Sequence, residues 1–490
     1  MVNSLVLWYR AVLVGLSIIG ATAAVADAAA VADIPQFVLR THCPPSFEKL
    51  DSGVCKLRTR YEMYTSVQDK GLGGTMTSLP DHRDGFTPQQ IDLGRYLFFD
   101  PLLSHDGSVS CASCHDPDRG FSDGLPRSVG IGGAQVARAA PTLWNVAFLN
   151  SFFWDAHAQT LEQQAMGPLF SPVEMGNTPV QLAQRLNDNA AYRALFSQAF
   201  PESSTQGIRL EDVYTALAAF QTSLISLNSR YDRYAHGHHA ALSAPEIEGL
   251  NIFRSFVARC AECHTPPLFT NQQIAVIGAP EPPGLPFDPG AEKTFNAPKL
   301  RGGFKVPTLR NIDLTAPYMH SGLFGNLRDT AAFYNGGRGH AVPAGEDLFL
   351  HWHISSPELT DYELDRLVDF LGTLTDESLK PQVPDALPSG LSPLSGPATQ
   401  AAAGQSIDKA QQAPEASQAA AIAGPDARSG MSTTKTDIET GIKTKTATAT
   451  STATARTTTA RTTTTAPPLT RSGPTPASIA TTASATGDSS

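Results

Sequence analysis

Two copies of the motif Cys-x-x-Cys-His carry the clearest chemistry in this sequence. The first copy reads CASCH and the second reads CAECH, and together they use four of the six cysteines. A structural zinc site is closed by four ligands. The two distant motifs together would offer more thiolates than such a site needs beside other ligands, and the histidine after each pair would have no role. A thioredoxin-like redox pair does not need the histidine, and it would be expected beside a βαβ pattern that the sequence does not show.

Covalent attachment of haem c explains all three fixed residues of each motif. Two thiols add across the vinyl groups of the haem, and the adjacent imidazole ligates the iron from the proximal side. The sequence therefore predicts two haem c groups. The predicted attachment residues and proximal ligands are Cys111, Cys114 and His115 for the first haem and Cys260, Cys263 and His264 for the second.

The N-terminal residues predict an exported protein. An apolar stretch follows the start of the chain and ends in small residues near Ala29, which is typical of a cleaved signal peptide. An uncleaved membrane anchor is the alternative, but the apolar run is short and is interrupted by Ser17 and Gly20. We therefore expect a periplasmic or otherwise exported protein, in which the remaining cysteines, Cys43 and Cys55, form a disulfide.

Helical periodicity predicts a mainly α fold made of two cytochrome c-like haem domains packed together. Leu250, Phe253 and Val257 recur at helical spacing before the second motif, and a similar pattern fills LTDYELDRLVDFLGTLTDE. The last segment is rich in Thr, Ala, Ser and Pro, so it cannot bury enough apolar surface to fold and is predicted to be disordered. The predicted organisation is a signal peptide (1–29), an N-terminal extension (30–80), a first haem domain (81–235), a second haem domain (236–380) and the tail (381–490).

Several separated segments resemble the bacterial di-haem cytochrome c peroxidase and MauG family. They are LGRYLFFDPLLSHDGSVSCASCHDPDRGFSDG, the stretch RAAPTLWNVAFLNSFFWDAHAQTLEQQAMGPLFSPVEMGN and, after the second motif, VPTLRNIDLTAPYMHSG. The resemblance covers roughly residues 85 to 378. It implies that the haem on His115 is the peroxidatic one, with Glu174 as its distal acid–base carboxylate and Gln164 as its distal amide. It also implies that Trp154 lies between the haems and relays electrons.

Two departures from the family pattern concern the distal iron ligands. Many members carry a histidine that caps the peroxidatic iron until the other haem is reduced, and this chain has Ile131 at that position. We therefore expect a first haem that is open without reductive activation. For the second haem the family uses Met or Tyr, and LRDTAAFYNGGRGH offers Tyr334 as the distal ligand. Lower-ranked alternatives are His340, His351 and His353, whereas Met319 is interpreted as a packing residue.

Further departures affect a calcium ion that the family commonly holds between the haems. The resemblance implies carbonyl ligands at Thr315 and Pro317, but Ala139 stands where the family has an asparagine ligand. The family often has Trp-Asp-Gly-Arg where this chain has Ala156 and His157 after Trp-Asp, and His157 is a candidate member of the acid–base network.

These features predict a peroxidase that uses hydrogen peroxide at the first haem. Electrons would come through the second haem from a small c-type cytochrome or a cupredoxin. One alternative is a MauG-like oxidase that uses peroxide to oxidise Trp or Tyr side chains of a partner protein. Another is an electron-transfer cytochrome with no catalysis of its own. The net charge of −10 and the absence of a basic patch in the sequence give no indication of nucleic-acid binding.

Overall fold

The computed structural model describes residues 37–63, 79–337 and 339–393. The predicted signal peptide (1–29) and residues 394–490 of the predicted tail lie outside the described residues. Helices dominate the described part of the chain, which confirms the mainly α prediction. None of the described helices is both long and apolar enough to cross a membrane.

The α-helices vary in length from the four-residue turns at the two motifs to thirteen residues. In chain order they are α1 (Pro88–Phe99), α2 (Cys111–Cys114), α3 (Leu161–Phe170), α4 (Pro179–Asp188), α5 (Ala190–Ala199), α6 (Leu210–Thr222), α7 (Arg230–Ala235), α8 (Ala244–Phe253), α9 (Cys260–Cys263), α10 (Ala291–Phe295), α11 (Leu327–Asn335) and α12 (Asp361–Gly372). Short 3-10 turns lie at Arg60–Met63, Pro101–Leu103, Pro117–Arg119, Ile131–Gly133, Val146–Phe148, Ser204–Gln206, His239–Ala241, Pro298–Leu300 and Ile312–Leu314.

Four short strands form two antiparallel pairs. The first pair joins β1 (Phe47–Lys49) to β2 (Cys55–Leu57), and a disulfide links Cys43 to Cys55 beside it. The second pair joins β3 (Ile274–Val276) to β4 (Gly303–Lys305). Both pairs are too small to form a core of their own, since isolated two-stranded sheets are marginal in water.

A close helix crossing organises the first half of the fold. Helix α1 begins at Thr87, whose side chain and that of Gln90 form a reciprocal capping box. It packs against α6 at Gly94, where an added Cβ would overlap the carbonyl oxygen of Ala216 and lie 2.8 Å from Cβ of Phe220. Only glycine permits this approach of the two backbones.

The second half repeats the same crossing with different helices. Helix α8 packs against α12 at Gly249, where an added Cβ would overlap the carbonyl oxygen of Arg366 and lie 2.8 Å from Cβ of Phe370. Like α1, helix α12 starts at a capping box, here between Thr360 and Glu363. The two halves therefore share one packing geometry, built from unrelated residues.

Two large hydrophobic clusters follow from these crossings. The first collects buried side chains between Leu93 and Leu224, together with Leu39 and Leu387. The second lies between Tyr231 and Leu374. The division agrees with two haem domains, and their boundaries at 81–235 and 236–380 stay a prediction.

Two details of the sequence analysis were wrong. Helix α8 ends at Phe253, and Val257 is 56% exposed in the loop that follows, so it does not continue the apolar face. The packed chain also runs past residue 380, where the disordered tail was predicted to begin. Leu387 is only 2% exposed in the first core, and Asn189 donates a hydrogen bond to the carbonyl of Pro388. The few apolar residues of this segment are enough to hold it in place because Leu387 and Val383 pack against the first hydrophobic cluster.

A buried ion pair ties the N-terminal extension to the second half. Arg310 and Asp232 are both fully buried, with guanidinium to carboxylate distances of 2.6 and 2.8 Å. The hydroxyl of Tyr61 donates to the same carboxylate. Arg310 also donates to the carbonyl of Pro267 at 2.8 Å, close to the second motif.

Candidate functional site

One cavity of about 1080 Å³ contains every predicted site residue other than the disulfide pair. This volume is at the upper end of the range of small-molecule sites. The predicted residues that line it are Cys111, Cys114, His115, Trp154, Gln164, Glu174, Cys260, Cys263, His264, Thr315, Pro317 and Tyr334. The fold thus brings together groups that are more than two hundred residues apart in the sequence.

The first motif forms the short helix α2 and places His115 at its C-terminal end. The backbone N–H of His115 donates to the carbonyl of Cys111 at 2.9 Å, and its Nδ1 donates to the carbonyl of Phe121 at 2.9 Å. Burial lowers the pKa of His115, so the ring is held neutral. A neutral ring whose Nδ1 is committed to a carbonyl offers Nε2 to a metal, as iron ligation requires.

The second motif repeats this arrangement in helix α9. Nδ1 of His264 lies 3.1 Å from the carbonyl oxygens of both Phe269 and Pro307, and burial lowers the pKa of the ring to about 4. Here too the orienting bond leaves Nε2 available. Both histidines therefore fit the role of proximal iron ligand.

The four motif cysteines are not disulfide-bonded to each other. Burial raises the pKa of Cys111, Cys114 and Cys260 to about 12, whereas a catalytic redox pair depends on a lowered thiol pKa. Nε of Arg127, on the cavity wall, is buried and has no hydrogen-bond partner among the described residues. A haem propionate is the kind of anion that would satisfy it, so the residues of the cavity fit haem c.

The candidate distal side of the first motif comes from α3 and the turn after it. Gln164 lies in α3, which contains Pro168 and continues to Phe170, and Glu174 follows in a turn in which Gly176 donates to the carbonyl of Ser171. Burial raises the pKa of Glu174, while a hydrogen bond from Ser171 and the charge of His157 act in the opposite direction. A carboxyl group whose pKa is raised by burial is suited to accept and return a proton.

Ile131 lies beside Glu174 but does not line the cavity. Its backbone N–H donates to the carbonyl of Glu174 at 2.9 Å, and its side chain packs so closely on Gly176 that an added Cβ there would overlap it. Among the described residues, no imidazole from this loop reaches the side of the cavity opposite His115.

Trp154 lies on the cavity wall and is held in place by two hydrogen bonds with the backbone and one ring contact. Its Nε1 donates to the carbonyl of Ala139 at 2.9 Å, and its own carbonyl accepts from the N–H of Lys305 at 2.7 Å. Its ring meets the ring of His320 edge to face at 6.4 Å. A fixed indole on a cavity that both motifs line is suited to relaying electrons.

The region around Trp154 does not offer the donors that a calcium ion prefers. The carbonyl of Ala139 is already engaged, and its side chain has no oxygen. Next to it, the Arg138 guanidinium pairs with Asp155 at 3.0 Å and with Asp288 at 2.7 Å. A fixed cation therefore neutralises the carboxylates here, and calcium at Thr315 and Pro317 stays a prediction through which we derive no step.

Three polar features of this region were not identified from the sequence. They are the Arg138 ion pairs, the unpaired Nε of Arg127 and the buried contact between His320 Nε2 and Glu281 at 2.7 Å. No local motif marks them, because the Arg138 and His320 contacts depend on partners that are distant in the sequence and the burial of Arg127 depends on the tertiary fold.

Tyr334, the predicted distal ligand of the second haem, lines the cavity. It lies in the last turn of α11, and burial and the neighbouring sulfurs of Cys263 and Cys260 raise its pKa above the usual range. Met319 and His353 also line the cavity, whereas His340 and His351 do not. The ligand assignment therefore stays a prediction, with Tyr334, Met319 and His353 as the residues within the cavity.

Comparison with known proteins agrees with this site. The family model for di-haem cytochrome c peroxidases matches residues 88–240. The chain is 37% identical over 301 residues to the methylamine utilization protein MauG of Methylorubrum extorquens, covering 61% of this chain and 82% of that protein. It is 35% identical over 248 residues to the cytochrome c551 peroxidase of Pseudomonas aeruginosa, covering 50% and 71% of the two chains.

Solved structures give the same result. A MauG-like protein associated with microbial copper homeostasis superposes with a TM-score of 0.56 at 33% identity, covering 61% of this chain and 92% of that one. The diheme peroxidase BthA of Burkholderia thailandensis superposes with a TM-score of 0.54 at 28% identity, covering 74% and 100%. With both motifs, their neutral histidines and these relatives in agreement, the chain belongs to the di-haem cytochrome c peroxidase family that includes MauG.

Proposed function

We propose that this protein is an exported di-haem peroxidase that reduces hydrogen peroxide on the Glu174 side of its cavity. The observation that carries this proposal is the joint position of Glu174, Gln164 and both haem attachment motifs on one cavity. Family membership implies two haem c groups, which Cys111, Cys114 and His115 and Cys260, Cys263 and His264 would hold. The haem irons supply the electrons for the overall conversion of one peroxide, two electrons and two protons into two waters.

Glu174 is the residue best placed to move the protons of this reaction. The other carboxylates on the cavity wall, Asp155 and Asp288, are held by the Arg138 guanidinium, whereas Glu174 forms no ion pair among the described residues. It would accept a proton from one peroxide oxygen and return it to the other, which leaves as water. Gln164, from α3, would orient the peroxide through its amide.

Electrons would reach this side through Trp154 from the second motif. An exposed apolar surface adjoins that motif: Phe256 is 86% exposed, Trp352 is 68% exposed, and the guanidinium carbon of Arg259 lies 5.7 Å from the centre of the Trp352 ring. Such a patch suits transient docking of a small redox protein, because aromatic residues and Arg are enriched at protein interfaces. A small c-type cytochrome or a cupredoxin is therefore the proposed donor.

The test is peroxide consumption by the holoprotein with a reduced small c-type cytochrome or a reduced cupredoxin as donor. We expect turnover in the wild type and its loss in Glu174→Gln. If the wild type consumes no peroxide with either donor, and both haems are low-spin, the protein is an electron-transfer cytochrome instead.

A MauG-like oxidase is the second candidate, and the position of Ile131 favours it. With the Ile131 side chain packed on Gly176, no histidine from that loop can cap the first haem, so peroxide would react with the oxidised protein directly. The experiment is an electronic and EPR spectrum of the oxidised holoprotein before and after one equivalent of peroxide, without reductant. An immediate change supports a protein-oxidising role, whereas a reaction that requires prior half-reduction supports an ordinary peroxidase.

The exported location is part of the same proposal. The Cys43–Cys55 bond is of the kind that forms in oxidising compartments, and the N-terminal sequence is typical of a signal peptide. N-terminal sequencing of the protein from a periplasmic extract, with cleavage near Ala29 expected, tests it.

A further inference from the structure

A cluster of metal-binding donors shares Cys263 with the second haem attachment site and adds two histidines that the proposed peroxide chemistry does not use. One ring nitrogen of His351, one of His353 and the sulfur of Cys263 lie within 4.8 Å of one another. Three atoms so spaced have a common point within about 2.8 Å of each, so modest side-chain movements would reach the usual metal–ligand distances of about 2.0–2.3 Å.

The backbone holds the two imidazoles together. The N–H of Ile354 donates to the carbonyl of His351 at 3.1 Å and closes a turn, which places the two rings 4.9 Å apart, centre to centre. The N–H of His351 donates to the carbonyl of Val276 at 2.8 Å and so fixes this turn to the end of β3. The donors therefore lie on a rigid support rather than on a free loop.

The hydrogen bonding of His353 selects the nitrogen that faces the cluster. Its Nε2 lies 2.8 Å from the carboxylate of Glu262, which is the residue before Cys263 in α9. Its Nδ1 is buried and has no hydrogen-bond partner among the described residues. A carboxylate that binds one ring nitrogen and leaves the other unpaired is the arrangement found behind metal-ligating histidines.

The remaining contact within the cluster is weak. The N–H of His353 lies 3.3 Å from Nδ1 of His351, which is longer than the usual range of a hydrogen bond of this type.

We propose that His351, His353 and the Cys263 sulfur form a copper-binding site, with Glu262 orienting His353. Imidazole nitrogens suit copper and zinc, a sulfur donor shifts the preference toward copper, and copper has the highest affinity among the divalent first-row metals. The sulfur keeps lone pairs when it is bonded to a haem, so haem attachment and copper binding are compatible. The metal would then stand beside the second haem and within reach of the Trp352 surface.

The test uses the holoprotein with both haems attached, which the pyridine haemochrome spectrum verifies for every variant. Copper(II) is titrated in the presence of a competing chelator, and the bound metal is measured by elemental analysis and by EPR. We expect one strongly bound copper per chain, with hyperfine coupling to nitrogen, and at least tenfold weaker binding in His351→Ala and in His353→Ala. Glu262→Gln should weaken binding by about 10- to 100-fold, as loss of an orienting carboxylate usually does.

His238→Ala is the matched control, because this histidine is exposed and lies in another part of the fold. It should bind copper as the wild type does. Equal copper binding in the wild type, His351→Ala and His353→Ala would overturn the proposal. So would a change in the second haem spectrum of copper-free His353→Ala, because it would assign the His353 ring to the haem iron.

Discussion

Replacing Glu174 with glutamine separates catalysis from stability at one position of the cavity. The substitution keeps the size and most of the hydrogen-bonding capacity of the side chain but removes its ability to exchange a proton. Glu174 is the cavity carboxylate that Arg138 does not hold, so no other described carboxylate on the wall is free to replace it.

The expected loss of activity is correspondingly large. A positioned acid–base group contributes about 10²- to 10⁴-fold to a reaction rate, which corresponds to about 2.7 to 5.4 kcal/mol of transition-state stabilisation. With no replacement carboxylate, we expect kcat/KM for peroxide to fall within this range. The acid side of the wild-type pH profile should also disappear, since it reports protonation of the Glu174 base.

The stability of Glu174→Gln should not fall with its activity. Burial raises the pKa of Glu174, so the folded protein holds its proton more tightly than the unfolded chain does. Above the pKa of the folded state the ionised, partly buried carboxylate therefore lowers the stability of the fold, and this cost disappears as the pH falls through that pKa toward the pKa of the unfolded chain. Glu174→Gln should be at least as stable as the wild type at pH 7, with a difference that shrinks toward zero in acid.

The assay combines stopped-flow reaction with peroxide and urea unfolding at several pH values. Glu211→Gln is the control, because Glu211 is an exposed carboxylate on α6 of the same half. Peroxide reactivity of Glu174→Gln within threefold of the wild type, with both haems attached, would refute the acid–base assignment. A marked loss of stability at pH 7 would refute the account of its pKa.

Three further substitutions and one chelation test address the rest of the site. Trp154→Phe should slow the reoxidation of the reduced second haem by peroxide, measured by stopped-flow absorbance, while the lost hydrogen bond costs about 1 kcal/mol of stability. Tyr334→Phe should change the spectrum of the second haem and raise its reduction potential in a spectroelectrochemical titration, because an oxygen ligand stabilises ferric iron; an unchanged potential would exclude Tyr334 as the ligand. Arg310→Met should lower the free energy of unfolding by about 3–5 kcal/mol in urea, because it leaves the Asp232 carboxylate buried without its partner. Treatment with EGTA should leave spectra and peroxide reactivity unchanged if the Arg138 guanidinium takes the place of calcium, and a spectral change reversed by calcium would contradict that.

Residues whose chemistry needs a fixed local spacing were predictable from the sequence. Cys-x-x-Cys-His makes one turn of helix with a histidine at its end, and both α2 and α9 have this geometry. The roles of Glu174, Gln164 and Trp154 were not derivable in this way, since an isolated glutamate or tryptophan has no local signature. Their assignment came from a resemblance, and the cavity now gives it a physical context.

Features that depend on distant partners were not predictable. The Arg138 guanidinium pairs with the carboxylate of Asp288, which is 150 residues away in the sequence. Likewise, Nε2 of His320 contacts the carboxylate of Glu281. The composition of the segment around Leu387 indicates a low-complexity tail, yet Leu387 is buried in the first hydrophobic cluster. In each case the contact forms only in the folded protein, so composition and hydrophobic periodicity do not predict it.

The two halves of the protein share a helix crossing but carry different inserted segments. Both halves have a glycine-mediated helix crossing and a neutral histidine bonded through Nδ1 to a carbonyl. Between its motif and its closing helix, the first half inserts α3 to α5 and thereby gains Gln164 and Glu174, which can handle protons. The second half inserts the β3–β4 pair and α11, which bring Tyr334 and the exposed surface around Trp352 to its motif. We therefore expect the residues that decide between peroxide removal and oxidation of a partner protein to lie in these inserts and at Ile131 rather than in the haem-binding motifs.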